Sequence, residues 1–154
     1  YNSFSDAIDI DFSNGIIKKT ILSNIGNDAI DVSGAESLIE DIKVLNSGDK
    51  GISVGEKSNV FLKNIYIDNA IIGIASKDKS RINGSKISIS NSNVGLASYQ
   101  KKPEFGPSYI NLKEISIKDT KESYLLEDFS SIILDGEKVK SNAINLFNRL
   151  YGED

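Results

Sequence analysis

An apolar residue returns at a fixed interval of 22 in this chain, at Ile8, Ile30, Ile52, Ile74 and Leu96. The residue before each is small: Ala7, Ala29, Gly51, Gly73 and Gly95. Ile16, Leu38, Val60 and Ile82 form a second column with the same step, and the pairs Ile65 with Ile87 and Ile67 with Ile89 a third. The step then widens to 28, from Ile82 to Ile110 and from Ile87 to Ile115, with the extra residues falling in "YQKKPEFGPSY". Beyond that loop Ile110 leads to Ile132 at 22 again. Same-type residues at a constant interval imply a unit that stacks on copies of itself. A sandwich or barrel of hairpins gives no reason for such an interval.

Within each period the chain alternates apolar and polar residues in short runs such as "GISV", "NVFLKN" and "IYIDN". Alternation rich in Ile and Val predicts strands with one face inward. Three short strands per 22 residues make one coil of a parallel β-helix, whose coils stack at about 4.8 Å. Asn24, Asn46, Asn69 and Asn91 recur at or within one residue of the period. They are expected to form a hydrogen-bonded ladder at a turn that needs left-handed backbone, and to be turn formers rather than ligands. The expected fold is therefore all-β: a right-handed parallel β-helix of about six coils over residues 1–140, closed by a short C-terminal capping helix over 141–154.

The 154 residues can bury a sizeable core, and 39% hydrophobic with 26% charged residues fits a folded chain. A net charge of −4 with interleaved signs argues against general nucleic-acid binding. No apolar run has the length of a membrane span. The absence of Cys removes disulfides and thiolate chemistry, and the absence of His removes the commonest general base.

The ends carry their own signals. "SNAINLFNRLYGED" reads as the cap helix, with Ser141 as N-cap, an apolar face of Ala143, Ile144, Leu146, Phe147 and Leu150, and Gly152 at its end. "YNSFSDAID" enters a coil at once, with nothing to cover an open edge. With no Met in the chain, earlier coils or another domain of a larger protein are expected ahead of Tyr1.

"NDAIDVSGAESLIEDIKVLNSGDKGISVGEKSNVFLKNIYIDN" resembles the right-handed β-helix repeats of the pectate-lyase-like superfamily, and the likeness runs over roughly residues 4–140. The superfamily includes lyases, hydrolases, epimerases, tailspikes and adhesins, so it implies architecture rather than activity. The nearest catalytic likeness is to polygalacturonases. Their "GDD"-like and "GHGISIG"-like phrases compare with "GNDAIDV" and "GDKGISVG" here. One aspartate of the pair is replaced by Asn27, leaving Asp28, and Lys50 stands at the His position. Where that family places an Arg-x-Lys pair, this chain has Ala75 and Ser76. The resemblance therefore does not imply polygalacturonase activity.

The candidate site is the acidic phrase written twice, in "FSDAIDID" and "GNDAIDV". With Ile8, Ile10, Ile30 and Val32 inward, Asp9, Asp11 and Asp31 point outward, and Asp9 should neighbour Asp31. Asp6 and Asp28 form a second stacked pair at the turn into the strand, on the same edge of the first two coils. Asp28 and Asp31 read as positions free to vary. Lys50 beside Asp28 reads as a surface ion pair of minor weight. Paired carboxylates of this kind can act as acid and base on a glycosidic bond, or hold Ca²⁺ at Asp9 and Asp31. In lyases of the superfamily, Ca²⁺ often bridges uronate to protein. Solvated turn chemistry is the plainer reading.

Two further surfaces stand out. Ile17, Ile39 and Phe61 read as outward neighbours on the second strand, a stripe for a loop, a missing segment or a second subunit, unless the register slips by one. β-Helix tailspikes trimerise along such faces. The long loop carries Tyr99, Phe105 and Tyr109 beside Lys101 and Lys102, and reads first as an excursion tied over its own coil, then as a sugar-stacking surface. The functional expectation is a non-catalytic β-helix scaffold or carbohydrate-facing domain of a larger, secreted or cell-surface protein. Its expected partners are polysaccharide and the parent chain's other domains. The alternatives are a polysaccharide lyase or hydrolase fragment, and an oligomeric adhesin or tail-fibre module.

Overall fold

A computed structural model describes residues 3–152. They form a parallel β-solenoid of about six turns, with two stacked sheets. One has six strands in the order β1-β3-β5-β7-β9-β11, from Ile8–Asp11 (β1) through Ile30–Ser33 (β3), Lys50–Gly55 (β5), Ile72–Lys77 (β7) and Val94–Tyr99 (β9) to Glu122–Leu126 (β11). The other has seven, in the order β13-β12-β10-β8-β6-β4-β2. These are Gly15–Ile25 (β2), Glu36–Ser47 (β4), Asn59–Asp68 (β6), Arg81–Ser90 (β8), Tyr109–Lys118 (β10), Ser131–Leu134 (β12) and Glu137–Lys138 (β13). All pairs are parallel except β12 with β13. Ile8, Ile30, Ile52 and Ile74 are register partners, as their spacing predicts.

Three strands per coil appear as two because the longer strand bends. One residue near its middle takes left-handed backbone in each of the five long strands: Lys19, Asp41, Asn64, Lys86 and Glu114, with φ between 50° and 59°. A second such corner is the predicted Asn column. Asn24, Asn46, Asn69 and Asn91 all have positive φ, and Asn46 Nδ2 donates to Asn24 Oδ1 (3.0 Å) and Asn69 Nδ2 to Asn46 Oδ1 (2.9 Å). The last rung shifts, with Asn91 Nδ2 donating to Asp68 Oδ1 at 2.6 Å. Asn suits these corners because its short amide tolerates left-handed backbone and bonds its neighbours in the stack.

The core is the inside of the solenoid, with Ile30, Val32, Ile52, Ile67, Ile82 and Leu96 fully enclosed. One residue of register separates this from the expectation for the second strand. Leu38 pairs with Phe61, not Val60, because the turn Glu56–Asn59 holds one residue more than its counterpart in the coil before. Ile39 is therefore fully buried and Ile17 packs on the core, while the outward stripe is Ile16, Leu38 and Phe61.

The C-terminus also departs from expectation. The helix, Leu146–Tyr151 (α1), is one turn and a half, capped by Asn145 rather than Ser141. It does not lie over the open end. Leu146 is buried in a separate cluster with Ile72, Ala75, Val94, Ala97, Tyr99 and Leu125, on the outer face of the six-stranded sheet. Ile144 is exposed. The end itself is closed by the run before the helix. β13 turns back antiparallel on β12, Val139 packs on the core, and the Asn142 and Ala143 N–H groups donate to Leu126 O (3.1 and 3.2 Å).

Candidate functional site

The six-stranded sheet presents three outward columns. Small and polar residues occupy the early coils, with Asp9, Asp31 and Ser53 in one column, and α1 covers the later ones, where that column reads Ala75, Ala97 and Leu125. Asp9 and Asp31 are register partners, as predicted, and Asp11 is exposed opposite Ser33. Partial burial, and then the charges of Asp11, Asp31 and Asp6, push the Asp9 carboxyl above the ordinary aspartate range.

The second acidic pair is built differently. Asp6 Oδ1 accepts the Asp28 backbone N–H at 3.0 Å and Asn27 Nδ2 at 2.7 Å, and Asp28 Oδ1 accepts the Lys50 N–H at 3.0 Å. Each aspartate thus satisfies a backbone donor one coil on, where the turn has no strand partner to do so. Asp28 is 5% exposed and Lys50 is 3% exposed. Two expectations are corrected here: Asp28 is a buried acceptor for a backbone N–H rather than a solvent-facing carboxylate, and Lys50 is not a surface ion pair. Lys50 is closed in by Asp49, Asp28 and the Tyr151 ring of α1, and Asp28 by Lys50 one coil on.

Lys50 Nζ lies 2.5 Å from Asp49 Oδ2, 3.5 Å from Asp28 Oδ1 and 5.6 Å from the centre of the Tyr151 ring. Burial alone would lower the ammonium pKa, but the Asp28 charge, Tyr151 and Asp49 outweigh it and raise it. Asp28 is raised above the ordinary aspartate value. Burial dominates there, since Lys50 gives its closer contact to Asp49, whose own charge repels.

Three contributors went unseen in the sequence: Asp49, Lys77 and Tyr151. Ser53 is fully buried although it faces outward, and neither its hydroxyl nor Asp31 Oδ1 has a hydrogen-bond partner among the described residues. Lys77 Nζ stands 4.0 Å from Asp31 Oδ1. The spacing of the period could have flagged Lys77 as the coil neighbour of Gly55. Tyr151 comes from the far end of the chain, and only the docked helix brings it here.

Comparison with protein-family models, curated proteins and solved structures finds no match to this chain.

Among the described residues no group of three or more His, Cys, Asp or Glu is arranged to hold a metal ion. Asp9 and Asp31 offer two carboxylates, fewer oxygens than Ca²⁺ takes. What the face can do chemically is accept hydrogen bonds through Asp9 and Asp31, beside a border of Lys77 and Tyr151.

The long loop is tied down, as its plainer reading held. Tyr99 is fully buried and its hydroxyl lies 2.6 Å from that of Tyr151, with burial pushing the Tyr99 phenol far up. Asp78 Oδ1 accepts the N–H groups of Lys101 and Lys102, both at 2.7 Å, and Lys102 pairs with Glu56. Phe105 and Tyr109 instead line a cavity of about 550 Å³ with Lys57 and Arg81.

Proposed function

We propose that this chain is a non-catalytic β-solenoid module that presents the outer face of its six-stranded sheet to polysaccharide, within a larger extracellular protein of the pectate-lyase-like kind. The observation that carries the reading is the state of Asp28 and Lys50. At the two positions where the polygalacturonase likeness would put an acid and a His, the aspartate caps a backbone N–H and the lysine is a buried cation held by two carboxylates. Neither is placed to exchange protons with a substrate. The residues left to meet a ligand are Asp9 and Asp11, exposed on β1, and the half-buried Asp31, register partner of Asp9 one coil on.

Affinity electrophoresis against polygalacturonate, alginate and a neutral glucan tests the reading, run beside an assay for new reducing ends and unsaturated products. The expected result is retardation by at least one polymer, weakened in Asp9→Asn/Asp31→Asn, without product. Product that disappears in Asp9→Asn or Asp31→Asn would establish the lyase or hydrolase alternative instead. No retardation by any polymer removes the carbohydrate reading.

The outward stripe of exposed Ile16 and Phe61 with half-buried Leu38 between them favours a second reading, an oligomeric adhesin or fibre module. Sedimentation of the chain and of Phe61→Ser separates it: an oligomer dispersed by the substitution supports that reading, and a monomer at high concentration removes it.

A further inference from the structure

The residues that widen the step of the repeat fall at one corner of the solenoid. In successive coils that corner is the turn from β5 to β6, the turn from β7 to β8, and the long loop from β9 to β10. The loop is fastened over the turn before it. Asp78 Oδ1 accepts the N–H groups of Lys101 and Lys102, and the Lys79 N–H donates to Gly106 O at 2.8 Å. Loop and turns enclose the cavity of about 550 Å³ that Phe105 and Tyr109 line. Its floor is fixed: Ser58 and Ser80 are buried, and the Ser58 N–H donates to Ser80 Oγ at 3.2 Å.

The charged lining of this cavity is of one sign. Lys57, Lys79 and Arg81 are exposed, and none of them forms a salt bridge among the described residues. The acids that precede the two lysines in sequence are engaged elsewhere. Glu56 pairs with Lys102, and Asp78, 2% exposed, holds the N–H groups of the loop. Two of the cations are held by rings instead. Lys57 Nζ stands 5.4 Å from the centre of the Phe105 ring, and Arg81 Cζ stands 5.4 Å from that of Tyr109. A ring positions a cation without neutralising it, so the charge and the N–H donors stay available.

The number and kind of these groups indicate what fits. A carboxylate offers two oxygens in a plane, the match for one guanidinium. A sulfate or phosphate ester offers three oxygens on one centre, one for each cation. The rest of the cavity suits the body that carries the ester. Phe105 and Tyr109 give apolar walls for the C–H face of a sugar ring, and Asn59, register partner of Arg81, offers an amide that both donates to and accepts from hydroxyl groups.

We propose that this corner cavity binds a sulfate or phosphate ester carried on a sugar, with Lys57, Lys79 and Arg81 on the ester oxygens and Phe105 and Tyr109 against the ring. None of Asp9, Asp11 and Asp31 lines the cavity, so the site is independent of the sheet-face reading above.

A titration followed by the backbone amide signals of the whole chain tests this. The probes share one ring and differ in the anion: glucose 6-sulfate, glucose 6-phosphate, glucuronate and glucose. Inorganic sulfate and thymidine 5′-monophosphate complete the set. At least one glucose ester is expected to shift the amides of residues 57–59, 79–81 and 105–106, and to bind about fivefold or more tighter than glucuronate or inorganic sulfate. The tighter of the two esters tells sulfate from phosphate. Arg81→Gln should weaken that ester about fivefold or more, the scale of one charge-assisted hydrogen bond at an exposed site. Lys57→Gln/Lys79→Gln should weaken it further. Lys113→Gln/Lys118→Gln removes two exposed cations outside the cavity and should bind as the parent does. So should Asp9→Asn/Asp31→Asn, which separates failure here from failure of the sheet-face reading.

The proposal is overturned if neither ester shifts those amides, or if glucuronate binds as tightly as the better ester. Inorganic sulfate binding as tightly would overturn it by showing that the ring plays no part. Equal weakening in Lys113→Gln/Lys118→Gln would reduce the effect to overall charge, and tighter binding of thymidine 5′-monophosphate than of either glucose ester would assign the cavity to a nucleotide instead.

Discussion

The backbone N–H of Lys50 donates to Asp28 Oδ1 at 3.0 Å while the same lysine's ammonium stands 3.5 Å from that oxygen. One carboxylate thus holds both the chain and the side chain of the residue one coil above it. Removing it strands a buried donor and a buried cation together. Asp28→Ala should lower unfolding free energy by about 3–5 kcal/mol. Asp28→Asn keeps an oxygen for the N–H and should cost less, about 1–3 kcal/mol. Urea unfolding of the two variants checks the order, and a milder effect from Asp28→Ala would show that the pair contributes little.

The column Gly51, Gly73, Gly95 is tight for a different reason. A methyl group on Gly73 would meet Gly95 O and Ile89 Cγ2, each at 2.7 Å. Backbone on one side and a core side chain on the other leave it no space. Gly73→Ala should destabilise by about 1–3 kcal/mol or more through overpacking. Gly106→Ala, where nothing lies within 4 Å, is the control and should melt near the parent temperature.

Asn46 donates to Asn24, accepts from Asn69, and sits at φ 60°. Asn46→Ala loses both bonds and must hold left-handed backbone with a Cβ, a loss of about 1–3 kcal/mol. Asn46→Gly loses the bonds alone and should fall between the two in thermal unfolding. Equal effects would mean that the corner carries no backbone strain.

Acid stability depends on Glu40. Its contacts with Lys63 and Lys18 hold its carboxyl down to about 2, against an ordinary value of 4.5. A folded-state value below the unfolded one gives stability that is full above the unfolded pKa and is lost as pH falls from about 4.5 towards 2. Asp9 acts in the opposite sense: its raised value makes ionisation unfavourable to the fold, and acid relieves it. Denaturant midpoints measured against pH should therefore fall less steeply below pH 4.5 in Glu40→Gln, and more steeply in Asp9→Asn.

How much of this was legible in the sequence follows from what repeats. Ile8, Ile30, Ile52 and Ile74 stack because each coil returns to the same place, and a constant interval states that directly. The Asp9–Asp31 and Asp6–Asp28 relations followed from the same interval. Ile16 and Leu38 were misplaced because one residue moves between corners, which leaves the period intact and reverses the facing of a strand. Asp28 and Lys50 look like surface positions by alternation. Lys50 lies beside Tyr151, about a hundred residues further along, on a helix whose landing place no local pattern records.

The moved residue has a wider meaning. Gly55 lies 22 residues from its partner Ser33, Asn59 lies 23 from Glu36, and by Ile72 the separation from Lys50 is 22 again. The coil after the change takes a longer first corner, at Glu56–Asn59, and a shorter last one, with two residues rather than three between Asn69 and Ile72. What the stack conserves is its circumference, and a residue borrowed at one vertex is returned before the lap is complete. Such a molecule can redraw the outline of its turns from one coil to the next, and the following coil keeps the new outline in register.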